Sequence, residues 1–160
     1  MIFIFFVPFL REIIAKFAFL AVNWVIFAQI LQRTKMKKVI STKDAPQAIG
    51  PYSQAIEANG FLFISGQLGV TPEGKFAGED VRAQAEQSML NLKAILAQAG
   101  LSFENAVKTT IFLTNIEDFA AVNEIYAKFF SEPYPARSTI AVKTLPKGGL
   151  VEIELIAATK

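Results

Sequence analysis

The sequence predicts an α+β fold in which a mixed β-sheet forms one layer and two helices, both on one face of the sheet, form the other. Apolar residues recur at helical spacing over residues 80–99 and again over residues 117–130. The segments around these two stretches instead alternate between apolar and polar residues, or form short apolar runs, as strands do. The predicted order of elements is therefore βββαβαββ.

The first three strands lie before the first helical stretch. Residues 39–41 form a short strand, and residues 51–58 lead into a second one, which is followed by an Asn-Gly hairpin turn at 59–60. The apolar run over residues 61–65 returns as the third strand. We expect this strand to be buried on both faces and to end at residues 65–67.

Capping residues delimit the two helices. The first helix spans residues 80–99 and ends before Gly100, a residue type typical of helix C-termini. Residues 106–113 alternate as a strand, and Asn115 then opens the second helix, from residue 117 to about residue 130.

The C-terminal stretch predicts two more strands joined by a turn. The strands cover residues 138–142 and 150–158, and the turn Leu-Pro-Lys-Gly-Gly occupies residues 145–149. In the last strand, alternation places Glu152 and Glu154 on the face opposite to Val151, Ile153, Leu155 and Ala157.

The composition excludes several kinds of chemistry. The 160 residues include neither cysteine nor histidine, so disulfides, thiol catalysis and Ser-His-Asp catalysis are excluded. Zinc or haem sites would lack their usual ligands. An enzyme of this composition must act through arginine, carboxylates, hydroxyls, backbone amides and water.

The net charge of +2 is unevenly distributed. Residues 1–35 contain four basic residues and one acidic residue, whereas residues 36–160 contain twelve and thirteen, a net charge of −1. The folded domain is therefore not basic, which argues against nucleic-acid binding.

Residues 1–35 form a hydrophobic extension that differs in composition from the domain at residues 36–160. Its apolar runs are shorter than the roughly twenty residues that a spanning helix needs. One hypothesis is that Met36 is the true start of the protein. A second is a short membrane anchor or interfacial helix with basic residues on the cytoplasmic side, and a third is secretion. The first two hypotheses place the domain in the cytoplasm.

Two charged residues in the C-terminal stretch are candidates for a functional site. Arg137 follows a stiff Pro-Ala pair, and its guanidinium has the fork geometry that binds a carboxylate through two hydrogen bonds. Glu152 lies within an apolar strand, where burial would raise the pKa of its carboxyl toward neutrality. Alternatively, Arg137 forms a structural salt bridge with Glu152 or Glu154.

Four sequence blocks resemble the RidA (YjgF) family of reactive imine and enamine deaminases. The C-terminal block PARSTIAVKTLPKGGLVEIELIA is joined by APQAIGPYSQAI at 45–56, FISGQLG at 63–69 and KTTIFLTNIEDFAAVNEIYAKFF at 108–130. The resemblance covers residues 36–160. It implies a chorismate-mutase-like fold and a homotrimer with active sites between subunits.

The resemblance also implies an activity and a set of site residues. The implied activity is hydrolysis of 2-imino acids and enamines, such as 2-aminoacrylate, to 2-oxo acids and ammonia, without a cofactor or metal. Arg137 would hold the substrate carboxylate and Glu152 would transfer protons. The other implied substrate-binding residues are Tyr52, Ser65, Gly66, Asn123 and Thr139, of which Thr139 stands where many relatives have cysteine.

A different class of function remains open at this stage. The same pocket would also suit a non-catalytic protein that binds 2-oxo acids, and the family has been linked to ribonuclease and translation-inhibitory behaviour. Alternatively, Tyr52 packs in the core and Ser65 is a hydroxyl at the end of a strand. An assay for ammonia release from an imine separates an enzyme from a binding protein.

Overall fold

The structure is a computed structural model that describes Trp24 and residues 37–159. Residues 37–159 lie within one compact unit. The predicted extension over residues 1–35, including the anchor and start-site hypotheses, lies outside the described residues apart from Trp24. Among the residues described, no helix has both the length and the hydropathy needed to cross a membrane.

The order of helices and strands in this unit is the predicted one. Three short 3-10 helices, at residues 103–105, 116–118 and 146–148, lie in the connections. The main elements are β1 (Lys38–Ile40), β2 (Ala55–Ala58), β3 (Phe61–Leu68), α1 (Val81–Gln98), β4 (Ala106–Leu113), α2 (Phe119–Ala127), β5 (Ala136–Ala141) and β6 (Val151–Ala158).

The six strands form one mixed sheet in the order β1-β2-β3-β6-β4-β5. All neighbouring strands are antiparallel except β4 and β5, which are parallel. The two strands of the C-terminal stretch, β5 and β6, are thus not neighbours, because β4 lies between them. A turn joins them in sequence, but the chain passes across the end of β4 to connect them.

One face of the sheet is covered by the helices and holds the core. In β6 the residues at 151, 153, 155 and 157 are buried and the intervening ones are only partly buried, as the alternation predicts. They pack with the buried face of α1, which includes Met89, Leu92 and Leu96. The predicted α+β fold, with both helices on one face, is confirmed.

The other face, called here the open face, has no helix over it in the single chain. Phe61 and Phe63 of β3 lie on it with 43% and 45% of their surface exposed. The prediction that residues 61–65 are buried on both faces is therefore wrong for the single chain. Only Leu62 and Ile64 point into the core, because successive side chains of a strand alternate between faces.

The third strand is longer than the sequence suggested. Residues 65–67 do not end β3; they lie inside it, at a shift of register between Ile64 and Gln67 in its pairing with β6. This irregularity is a β-bulge, in which one strand carries an extra residue and bends. The bulge places Gly66 beside the start of β6.

Of the two predicted capping residues, Gly100 follows the end of α1, whereas Asn115 caps a 3-10 helix and not α2 itself, and Asp80 is a cap that was not predicted. Asp80 accepts hydrogen bonds from the backbone N–H groups of Arg82 and Ala83 at the start of α1, and Gly100 follows its end with a φ of 74°. Asn115 caps the 3-10 helix that precedes α2, through a 3.2 Å bond from the Glu117 N–H. The second helix ends at residue 127, before the predicted residue 130.

Candidate active site

Arg137 lies on β5, the edge strand of the sheet, and points toward α2. Its partner on β4 is Thr109, which is fully buried on the helix-covered face. The Nη1 of Arg137 donates a 2.8 Å hydrogen bond to Oδ1 of Asn123 on α2. The guanidinium carbon lies 4.8 Å from the ring centre of Tyr126 and 5.7 Å from that of Phe119, within the range of cation–π contacts.

Arg137 forms no ion pair with a carboxylate of the described residues, whose ion pairs are Lys38–Glu57 and Arg82–Glu124. The alternative in which Arg137 pairs with Glu152 or Glu154 is therefore not realised. A guanidinium has five N–H donors, and within the described part of the chain one of them is bonded, to Asn123.

A cavity of about 370 Å³ opens next to this guanidinium. Its walls combine aromatic rings with one amide and one cation, a lining suited to a small organic anion. The lining residues are Asn123, Tyr126, Ala127, Tyr134, Pro135 and Arg137.

Glu152 lies on β6 and faces the open side of the sheet. Its cross-strand partners are Phe112 of β4 and Leu68 of β3. The residue is partly buried. Burial raises the pKa of the Glu152 carboxyl, and the neighbouring carboxylate of Glu154 raises it further. A carboxyl with a raised pKa is suited to accepting and returning a proton near neutral pH.

The raised pKa predicts that Glu152→Gln stabilises the fold at neutral pH. The folded chain binds this proton more tightly than the unfolded chain, so the free energy of unfolding falls as pH rises from the unfolded pKa through the folded pKa. Above both values the penalty is complete, and glutamine removes it. We expect the variant to melt about 2–4 °C higher than the parent at pH 7 and equally at about pH 4.

The measurement is thermal unfolding followed by circular dichroism at both pH values. Glu86→Gln is the control for removing a negative charge, because Glu86 is exposed on α1. An equal rise in both variants, or a rise at both pH values, would contradict the assignment of the penalty to Glu152.

Gly66 has no side chain, and the Glu152 carboxylate occupies the space where one would lie. A Cβ atom built on Gly66 would overlap the carboxyl group of Glu152. Gly66 is not among the residues with positive φ, so its backbone does not require glycine. The requirement is one of space, and it places the backbone of residue 66 against the Glu152 carboxyl group.

Gly66→Ala is expected to destabilise the chain by about 1–3 kcal/mol, because it inserts a methyl group into an occupied space. In a Glu152→Ala background the overlapping atoms of residue 152 are absent, so most of that loss should disappear. Denaturant unfolding of the four proteins in this double-mutant cycle measures the coupling. A loss of the same size in both backgrounds would mean that Gly66 does not contact Glu152.

Tyr52 and Ser65 lie near Gly66, in different roles. Tyr52 is half exposed and lines a cavity of about 70 Å³ together with Gly66 and Lys147. Ser65 donates its hydroxyl proton to the carbonyl of Ser53 at 2.7 Å, so only its lone pairs remain available to a ligand. In this structure Ser65 holds the segment that carries Tyr52.

Thr139 lies two residues after Arg137 on β5, hence on the same face of that strand. Its hydroxyl is buried and has no hydrogen-bond partner among the described residues. A buried hydroxyl without a partner is unfavourable by about 1–3 kcal/mol. A bound molecule that supplied a partner would remove that penalty.

The predicted site residues form two separate groups in the chain. Arg137, Asn123 and Thr139 lie at the helix-covered side of the β5 edge, whereas Glu152 contacts Gly66 on the open face. The separation follows from the register of β4, whose residue 109 is the partner of Arg137 and whose residue 112 is the partner of Glu152. Residues three apart on a strand point to opposite faces, so one chain does not bring both groups into one pocket.

The sequence was compared with known families and proteins. Residues 42–159 match the family described as Endoribonuclease L-PSP. The chain is 53% identical over 122 residues to "Reactive Intermediate Deaminase A, chloroplastic" of Arabidopsis thaliana, a match that covers 76% of this chain and 65% of that protein. It is 47% identical to "2-iminobutanoate/2-iminopropanoate deaminase" of Bos taurus, over 76% of this chain and 90% of that protein.

The chain belongs to the RidA (YjgF) family. The predicted resemblance is thereby confirmed. Solved structures agree with this assignment. The crystal structure of E. coli TdcF with bound serine superimposes with a TM-score of 0.73 at 45% identity, over 77% of this chain and 99% of that chain.

Several positioning residues of this RidA-family chain were missed from the sequence. On α1, Ser88 donates to the carbonyl of Gln67 at 2.7 Å, and Asn91 donates to the carbonyls of Leu68 and Val70. Gln84 accepts the N–H of Leu150, just before β6, at 2.9 Å. These bonds fix the ends of the two strands that bring Gly66 and Glu152 together.

A sequence signal for these residues existed. Gln84, Ser88 and Asn91 follow one another at spacings of four and three, so they form a polar line along the buried face of α1. Polar side chains that repeat on a buried helical face need fixed partners. None of the three was assigned a positioning role from the sequence.

Within the described part of this RidA-family chain, no three His, Cys, Asp or Glu residues are grouped closely enough to hold a metal ion.

Proposed function

We propose that this chain hydrolyses short-chain 2-imino acids and their enamine tautomers to 2-oxo acids and ammonia. The substrates would be 2-aminoacrylate, 2-iminobutanoate and 2-iminopropanoate, reactive products of PLP-dependent enzymes. One observation carries the proposal: Arg137 presents an exposed guanidinium, with no carboxylate partner in the described part of the chain, beside an aromatic-lined cavity. The names of the relatives support the reaction class.

In the proposed mechanism Arg137 binds the substrate carboxylate. Asn123 occupies one N–H of Nη1, and the remaining donors are available for two parallel bonds to the carboxylate oxygens. Thr139, two residues along the same strand, would contact the other end of the substrate. Binding at two points fixes the C=N carbon relative to the attacking water.

Glu152 would act as the general base and then as the acid. It accepts a proton from water as the water oxygen bonds to the C=N carbon, and it passes that proton to the nitrogen, to which the π electrons of the C=N bond move. In the resulting carbinolamine Glu152 accepts the hydroxyl proton and returns it to the nitrogen as the C–N bond breaks, so that the carbonyl of the 2-oxo acid forms and ammonia leaves. An enamine is first protonated at C3. Acid–base help of this kind accelerates reactions about 10²–10⁴-fold, enough for an imine that already hydrolyses unaided.

The proposal requires an assembly, because Arg137 and Glu152 lie on opposite faces of one sheet. We place each site between two subunits of a homotrimer, with Arg137 from one and Glu152 from the next. The open face supports such an association, since Phe61, Phe63, Val39 and Ile140 are all exposed on it. Tyr52, Ser65 and Gly66 would complete the Glu152 side.

The proposal includes no cofactor and a cytoplasmic location. A ribonuclease is the second candidate, because the matching family is described as an endoribonuclease. The charge of residues 36–160, with twelve basic and thirteen acidic residues, disfavours it, because RNA binding depends on basic surfaces.

The test is a coupled assay on the full chain. A PLP-dependent dehydratase generates 2-iminobutanoate or 2-aminoacrylate, and ammonia release is followed against the uncatalysed rate. We expect acceleration by the parent chain and a loss of about 10²-fold or more in Glu152→Gln. No acceleration, with tight binding of a 2-oxo acid, would identify a binding protein; cleavage of single-stranded RNA would favour the second candidate.

A further inference from the structure

We infer that Tyr126 and Thr109 are positioning residues that hold the Arg137 guanidinium in the orientation needed to bind an anion. The inference rests on the proposed function, in which Arg137 binds the substrate carboxylate. Neither residue was singled out by the sequence.

The first observation is the surface on which the guanidinium lies. Phe119, Asn123 and Tyr126 occupy positions i, i+4 and i+7 of α2, so they line one side of that helix. All three contact Arg137: two rings against the guanidinium and one amide at its Nη1. A long exposed side chain held in this way loses less conformational freedom when it binds a ligand.

The second observation is that the nearer ring is itself fixed. Tyr126 is only 5% exposed, and its hydroxyl lies 2.9 Å from the Oγ1 of Thr109, a fully buried residue. The ring also packs on Phe130, with centroids 4.5 Å apart. The guanidinium of Arg137 thus lies on a ring that cannot tilt freely.

The third observation concerns the backbone of Arg137. Thr109 is the direct partner of Arg137 in the parallel pairing of β4 with β5. The backbone of Arg137 is therefore fixed relative to Thr109 by the sheet, and its side chain is fixed relative to Thr109 by the Tyr126 ring. Loss of the Tyr126–Thr109 hydrogen bond removes the second constraint and leaves the first intact.

Two conservative variants and their combination test this inference. Tyr126→Phe and Thr109→Val each leave a buried hydroxyl without a partner, so each lowers the melting temperature. The double variant has no orphaned hydroxyl and should regain most of the stability. If the hydrogen bond positions Arg137, the double variant regains stability but its Arg137 guanidinium stays disordered. If the bond is merely structural, both the stability and the order of the guanidinium recover.

The first readout needs no ligand. The Arg137 Nε–Hε signal in a ¹H–¹⁵N spectrum, assigned with Arg137→Ala, should have an order parameter above about 0.6 in the parent and below it in all three variants. The second readout is binding of 2-oxobutanoate by calorimetry, where Kd should rise about threefold in Tyr126→Phe and about tenfold in Tyr126→Leu, which also loses the ring. Thr114→Val is the control, because it removes a hydroxyl that bonds the Leu150 carbonyl, after the end of β4.

Each result has one consequence. An Arg137 signal that stays ordered in the variants, or that recovers together with stability in the double variant, overturns the inference. A lower order parameter of the Arg137 signal in all three variants supports the inference, even if the chain hydrolyses no imine. Failure to hydrolyse an imine in the coupled assay would reject the proposed function separately.

Discussion

Arg137→Ala is expected to lower kcat/KM for 2-imino acid hydrolysis by about 100-fold, mainly through a higher KM. The guanidinium would bind the carboxylate in the ground state and in the transition state alike, so its loss weakens both. Arg137→Lys should recover part of the affinity, because it restores a positive charge without the fork. We expect it to be about tenfold worse than the parent.

The fold should survive the alanine substitution. Arg137 is exposed and contributes one side-chain hydrogen bond and two ring contacts, so thermal unfolding should shift by only a few degrees. Arg82→Ala is the matched control, since Arg82 is also exposed but pairs with Glu124 between the helices. Its kinetic constants should stay within about twofold of the parent. Full activity of folded Arg137→Ala would refute the carboxylate-binding role.

Mixing two impaired variants should restore activity at a substrate concentration well below the KM of Arg137→Ala. Arg137→Ala lacks the proposed anion-binding group and Glu152→Gln lacks the proposed proton-transferring group, and the structure places these groups on opposite faces of the sheet. If each site takes Arg137 from one subunit and Glu152 from its neighbour, a random one-to-one mixture contains about a quarter of intact sites. Activity should therefore rise to about a quarter of the parent value after the variants are refolded together.

The control mixture combines Arg137→Ala with the Arg137→Ala/Glu152→Gln double variant. It assembles from the same kinds of subunit but contains no intact Arg137, so its activity should not exceed that of Arg137→Ala alone. If the first mixture also shows no gain although mixed oligomers form, the site lies within one subunit, and the proposed placement of the two groups is wrong.

Local sequence signals predicted the elements of this fold well. The Asn-Gly turn has positive φ at both residues, 51° at Asn59 and 81° at Gly60, which is the conformation these two residue types favour. The stripe on α1 predicted its bounds to within a residue. Such features depend on neighbours in sequence, so a single sequence contains them.

Properties set by distant parts of the chain were harder to predict. The insertion of β4 between β5 and β6 and the bulge in β3 depend on which strands pair. Phe61 and Phe63 belong to an apolar run typical of a strand that is buried on both faces. In the single chain, however, they lie on the open face, which none of the described helices covers. Composition shows that a side chain is apolar but does not show what covers it.

The candidate site shows the same division. The residue types at positions 137 and 152 were sufficient to propose anion binding and proton transfer. That they lie on opposite faces depends on whether their β4 partners are an odd or an even number of residues apart, and this is known only from the register. The supporting residues Thr109 and Tyr126 depend on the same pairing.

The two helices support different parts of the proposed site. The polar line on α1 holds the strand ends around the carboxylate, whereas α2 holds the guanidinium. Binding of the anion and positioning of the base would thus be supported by separate segments of the chain. Substitutions in α2 can retune affinity for a new side chain while turnover is preserved, and substitutions in α1 can retune turnover while affinity is preserved. In such a protein, substrate affinity and turnover can change separately as new substrates are acquired.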